Sequence, residues 1–212
     1  MTDATGYRGL RRTLSRDALL GAGVELIGAR GFSNVSIDEI VARAGVAKGT
    51  FYNHFKDKSD IAHHVALGIR REIRDRIAVV KIRSTDPATH LAIAVTLFLQ
   101  LAVESPNKAR MLVTLLSEVT NTGAPMNERL RITLEAGQSM GRFSIRSPDA
   151  ALIFVLGIVA GGVKSILERP NRSDVEDLVL HLVAHGLSGL GLSAHDAIDI
   201  ANVTIREFFH LA

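Results

Sequence analysis

No stretch of this chain alternates apolar and polar residues between turn signals, whereas apolar spacings of three and four recur from end to end. That periodicity excludes a sheet-based fold and predicts an all-α one. The helix ends are marked by residues that satisfy otherwise orphaned backbone groups. Ser36 and Glu39 have the capping-box spacing, in which the hydroxyl accepts an amide hydrogen and the carboxylate reaches back. Asp86-Pro87, Ser105-Pro106 and Ser147-Pro148 each set a capping side chain before a proline at the first helical position, where no N–H is needed. Ser15, Ser173 and Ser193 read as further caps, and Gly31 and Gly45 as helix-closing glycines. About ten helices follow, near residues 15–30, 36–43, 47–53, 57–83, 86–104, 106–121, 125–142, 148–168, 173–189 and 194–210.

The helices fall into two size classes. Short ones with tight connections fill the first 55 residues, and longer, more apolar ones fill the rest. This predicts a small module over residues 1–60, with a basic arm at 1–14, and a larger helical domain over 61–212. The boundary lies inside the fourth helix, which both parts would share. With 47% apolar residues a sizeable core can form, and the lack of cysteine excludes disulfides, thiolate metal sites and cysteine nucleophiles. The basic N-terminus is not followed by an apolar stretch, because Arg16 and Asp17 interrupt it. The longest apolar run, Ala150 to Val163, falls short of the ~20 residues that cross a bilayer. A cytoplasmic protein without membrane partner or cofactor is the expectation.

Within the small module, Ile40, Val41 and Ala44 form the inner face of a two-turn helix, Gly45 ends it, and Val46 returns to the core. A second short helix carries Phe51 and Phe55 four apart. Helix, short glycine turn, helix is the arrangement that places a second helix in a DNA major groove. Formal net charge is only +3, so affinity for a polyanion depends on where the charge sits. Residues 41–58 hold four bases (Arg43, Lys48, Lys56, Lys58) against one acid, Asp57. Residues 1–16 hold Arg8, Arg11, Arg12 and Arg16 against Asp3, as an arm suited to a neighbouring minor groove. Glu25, Asp38 and Glu39 belong to the first two helices and are expected to face away from DNA.

The stretch SIDEIVARAGVAKGTFYNHFKDKSDI resembles the N-terminal signature of the tetracycline-repressor (TetR) family of transcriptional regulators, over about residues 15–61. The resemblance implies that Ser36 caps its helix near phosphate, and that Lys48 and Gly49 approach base edges. Thr50, Tyr52 and His54 would contact phosphates, with Lys58 adding another and Ala47 and Asn53 on the same surface; Phe51 and Phe55 would be core. Two residues depart from the family pattern. Val41 stands where a small alanine is common, and Ala47 replaces the usual serine, removing a cap.

In the larger part, LAIAVTLFLQLA at 91–102 is apolar on nearly every side and belongs in a bundle interior. Gln100 needs a partner there, which a neighbouring helix or a buried water can supply. The alternative is a ligand site of Thr96, Gln100, Thr114, Ser117 and Gln138, which the resemblance favours because the family's larger domain houses an inducer site. Gly157, Gly161 and Gly162 in one helix imply close helix approach, either within a subunit or across a two-fold interface with Leu178, Leu182 and His185 of the next helix. Asp177, His181 and His185 at steps of four match a metal-ligand spacing, but no second ligand helix accompanies them, and the expectation is no metal site. The chain thus reads as a homodimeric regulator that binds double-stranded DNA at a pseudo-palindromic operator, a repressor released by an unidentified small-molecule inducer. The other reading is a helical-bundle enzyme or metal-binding protein, for which no nucleophile elbow or phosphate loop is present.

Overall fold

The computed structural model describes residues 4–80, 84–119, 127–169 and 173–210. Among the described residues there are ten α-helices and no strand: α1 (Ala4–Arg30), α2 (Ile37–Ala44), α3 (Lys48–Tyr52), α4 (Lys58–Val80), α5 (Pro87–Glu104), α6 (Pro106–Val119), α7 (Glu128–Ser139), α8 (Pro148–Glu168), α9 (Val175–Gly189) and α10 (Ala194–Phe208). The caps explain most of the boundaries. Ser36 accepts from the Glu39 amide while Glu39 bonds back to Ser36, Asp86 accepts from Ala88, Ser147 from Ala150 and Ser193 from Asp196. Gly45 ends α2 with φ 66° and ψ 32°, a left-handed conformation in which any Cβ is penalised. At the start of α9 the cap position falls to Asp174 instead of Ser173.

One boundary differs from the sequence reading. Ser15 does not cap α1, which runs unbroken from Ala4, so the basic arm is helical over its described part. No proline interrupts residues 4–14, and the Ser15 hydroxyl turns to the Arg12 carbonyl one turn back and to His54 Nε2. The first buried side chain of α1 is Leu19, so the preceding turns project beyond the core.

Leu19, Ile40, Phe51, Phe55 and Ile61 close the core of α1 to α3 and the start of α4. In the rest of the chain α5 is the axle, packed by α4, α6, α7, α8, α9 and α10, which is why nearly every face of it is apolar. Its buried amide is satisfied internally. Gln100 donates to the His210 carbonyl at 2.8 Å and to Glu104 at 3.1 Å, and accepts from the His210 amide at 3.1 Å, tying the end of the chain to α5. The two parts of the chain meet where α1 crosses α6. A Cβ on Gly28 would stand 2.5 Å from the Asn107 carbonyl oxygen, so only glycine allows this approach.

By length and composition both α5 and α8 are apolar enough to cross a membrane, although the run in α8 had looked too short. In α5, 72% of that span is buried in the bundle, against 39% in α8. The outer face of α8 therefore stands exposed, with Ile153 and Phe154 upon it.

Candidate functional site

The surface formed by α3 and its flanks is the first candidate. Phe51 and Phe55 are 0% and 1% exposed, with rings 5.7 Å apart, and anchor one side of α3 to the core. That anchoring leaves Lys48, Gly49, Tyr52 and Asn53 in solvent, with Thr50 half-buried. Ala47 occupies the N-cap position of α3 without a side-chain bond. A groove lined by Arg11, Arg12, Ala47, Thr50, Asn53 and His54 separates α3 from the projecting turns of α1.

The charges are arranged differently from the sequence expectation. Asp38 does not face away, since its carboxylate holds Lys48 Nζ at 2.7 Å and raises the lysine pKa. Arg43 is likewise paired with Glu25, and Arg30 with Glu39. Lys58 is turned inward, donating to the carbonyls of Phe32 at 2.5 Å and Val35 at 2.7 Å and lying over the Phe32 ring. Those carbonyls belong to the turn after α1 and need a donor, so the expected phosphate contact gives way to a structural one. His54 is held by Ser15 at 2.9 Å instead of standing free for phosphate, and burial, then Arg12 and Arg16, lower its pKa. Because Lys48 and Asp38 are both more than half exposed, their pair is weak and screened by salt, and an approaching base or phosphate competes for the lysine.

Two outcomes follow for this surface. Lys48→Ala should change base preference by roughly five- to tenfold, and Tyr52→Phe should weaken all sequences alike, as read in gel shifts over variant duplexes. The capping box gives a pH dependence. Hydrogen bonds from the Ser36 backbone and side chain, then from Arg30, hold Glu39 at about 2 against an ordinary 4.5. A depressed carboxylate contributes stability that is present above pH 4.5 and lost as pH falls towards about 2. Thermal melts from pH 6 to pH 2, on the order of four points, should show this loss, and Glu39→Gln should flatten it.

The second candidate is a cavity of about 480 Å3 bounded by α4, α5, α6, α7 and α8. Its walls are largely apolar, with Leu67, Ile73, Leu91, Val95, Phe98 and Val159 among them, and its size falls within the roughly 300–1,000 Å3 of small-molecule sites. The expected ligand residues do not line it. Gln100 is spent on His210, Thr96 is buried elsewhere on α5, and Gln138 is exposed and donates to the Ile145 carbonyl. The side chains of Thr114 and Ser117 lie outside the described residues. The polar groups at the cavity are instead Arg70, His90, Asn127, Arg129 and Thr133, none of which the sequence reading singled out. A signal for Arg70 was available. Ala66, Arg70, Ile73 and Ile77 share one helical face, so this arginine interrupts an apolar stripe.

The third candidate is the outer face of α8. Gly157 and Gly161 are exposed with open space where a Cβ would be, whereas Gly162 is pressed against Leu99 and Leu182 of the same chain. The glycines thus serve both of the roles weighed from sequence. Leu178 and Leu182 are partly buried on their own core, which corrects their assignment to a purely intersubunit surface, and His185 is exposed. His181 lies 3.5 Å from Asp177, and among the described residues no group of three His, Cys, Asp or Glu is arranged to hold a metal ion.

This architecture has clear relatives. Residues 19–65 match the model of bacterial regulatory proteins of the tetR family, and residues 86–203, more than half of the chain, match that of the tetracyclin repressor-like C-terminal domain. The chain belongs to the TetR family. Over 48 residues this TetR-family chain is 42% identical to the transcriptional regulator AcuR of Cereibacter sphaeroides, covering 23% of this chain and 22% of that one. It is 26% identical over 109 residues to an uncharacterized HTH-type transcriptional regulator of Haemophilus influenzae, covering 51% and 53%. The chain thus spans between 22% and 53% of the length of these curated relatives.

Among solved structures, RolR in complex with resorcinol has a TM-score of 0.67 at 24% identity, over 96% of this chain and 100% of that one. A putative tetR-family regulator from Shewanella sp. PV-4 has a TM-score of 0.71 at 19% identity, over 84% and 99%. A gamma-butyrolactone receptor (ArpA-like protein) has 0.62 at 20%, over 93% and 99%. At such identities the likeness shows the fold. The TetR family is made up of transcriptional regulators, not enzymes.

Proposed function

We propose that this chain is a homodimeric repressor that binds a pseudo-palindromic operator in the cytoplasm and is released from it when a small ligand enters the cavity. The observation that carries this reading is the course of α4. Its first turns, with Ile61, Ala62 and Val65, are buried in the core of the small module, and its later turns, with Leu67, Arg70 and Ile73, line the cavity. One rigid element therefore borders both candidate sites, and a ligand that shifts α4 changes the spacing of two reading helices in a dimer. The division between the modules falls within this helix near residue 60. Lys48, Gly49, Tyr52 and Asn53 are the residues proposed to face the groove, with Thr50 beside them.

Dimerisation would set two copies of α3 one DNA turn apart, about 34–36 Å. The exposed face of α8 supports this arrangement, because Ile153, Phe154, Gly157 and Gly161 have no cover within the chain. A coupling of roughly 1–3 kcal/mol between the cavity and the DNA surface is enough for release. A footprint on DNA flanking the gene, followed by gel shifts against scrambled duplex over a salt series, tests the reading. A protected two-fold element with a sequence preference supports it; equal affinity for every duplex, or none, overturns it.

A further inference from the structure

The residues lining the cavity have a charge imbalance that specifies what can enter. They include four arginines, Arg70, Arg71, Arg74 and Arg129, and among the described residues no aspartate or glutamate. Arg74 is already met by Asp75 at 3.0 Å, outside the lining, and His90 Nε2 is bonded to the Ser84 carbonyl at 2.7 Å. Arg71 and Arg129 are exposed at the rim, while Arg70 is half-buried among the apolar walls. The Arg70 guanidinium is positioned by the buried Asn127, whose Oδ1 accepts from Nη1 at 3.5 Å. Desolvation alone lowers the Arg70 pKa, the signature of a cation that gains from a nearby anion.

We propose that the effector is an organic acid, an apolar body carrying one carboxylate or sulfonate, and that its anion is received by Arg70 while its body lies against Leu91, Val95 and Phe98. This rests on the cavity being the effector site proposed above. The guanidinium fork suits a carboxylate or sulfonate because it offers parallel donors to paired oxygens. Arg129 at the mouth of the cavity adds attraction during entry. The position of Arg70 also gives the charge a role beyond affinity. It stands on α4, whereas Asn127 and Arg129 are at the start of α7, so an anion between them draws on the helix shared with the DNA-facing module.

A matched pair of dyes tests the assignment: anilinonaphthalene sulfonate and N-phenylnaphthylamine, which share an apolar body and differ by the anion. With the full-length protein, fluorescence titration should give about tenfold or more tighter binding of the sulfonate. Arg70→Met should abolish that preference while leaving the neutral dye unchanged, and Arg70→Lys, which keeps the charge but not the fork, should retain part of it. Circular dichroism establishes that each variant is folded, and Arg70→Lys carries the test if Arg70→Met does not fold. Ala94→Trp, which fills the cavity, should displace both dyes. Equal affinity for the two dyes, or a preference that survives every folded Arg70 variant, overturns the organic-acid assignment and leaves the cavity reading intact. No binding of either dye to the unaltered protein, or binding that persists in Ala94→Trp, overturns the cavity reading and the assignment with it.

Discussion

Replacing Gly157 by arginine is expected to leave each protomer folded and to lower affinity for a two-half-site operator by roughly 10²–10⁴-fold. The size of the effect follows from linkage. When two reading heads are joined, the second binds at high effective concentration, and a monomer loses that advantage without losing a single DNA contact. Gly157 is suited to the test because nothing lies within 4 Å of the position its Cβ would take. Within the protomer an arginine there meets only solvent, and it relieves the helix of a glycine that costs up to ~1 kcal/mol. Loss of dimerisation would therefore have to come from the neighbouring copy. Sedimentation measures the assembly state, and gel shifts with full and half operators measure the coupling. A variant that stays dimeric and binds the full operator unchanged would move the interface away from α8.

The second large effect is expected at Phe51. Its side chain is fully buried between α3 and the cores of α1 and α4, in ring contact with Phe55. Phe51→Ala removes most of that packing and leaves a cavity, at a cost of about 3–5 kcal/mol. A small module has little to spare against such a loss, since whole domains are stable by only about 5–15 kcal/mol. Thermal unfolding should then begin at a markedly lower temperature, and DNA binding should be lost with α3 no longer supported. A melt and an affinity both unchanged would mean that α3 is held by something other than its phenylalanines.

The residues that were legible in the sequence are those whose structure is decided within a few positions. Ser36 and Glu39 form their capping box, Gly45 takes the left-handed conformation its turn requires, and Phe51 and Phe55 face inward four apart. What was misread depends on partners far along the chain. Ser15 has the chemistry of a cap, but its position inside α1 is stabilised by His54, 39 residues away. Gln100 looked like a ligand residue because its partner, the backbone of His210, is 110 positions distant. Asp38 was assigned away from DNA by its helix, although a flexible lysine on the next helix reaches it. The cavity was invisible for a related reason. Arg70 on α4 and Asn127 before α7 become neighbours only when the bundle closes, and neither residue type in isolation marks a pocket.

The crossing of α1 over α6 has a mechanical consequence. Most helix contacts are cushioned, because a long side chain between two backbones can change rotamer and absorb a displacement of an ångström or so. At Gly28 there is no such cushion, and the carbonyl of Asn107 lies against bare main chain. Five residues further along α6, Leu112 forms part of the cavity wall. A push felt at Leu112 thus arrives at α1 through a joint without play, and the lever it turns is the helix whose free end carries Arg11 and Arg12.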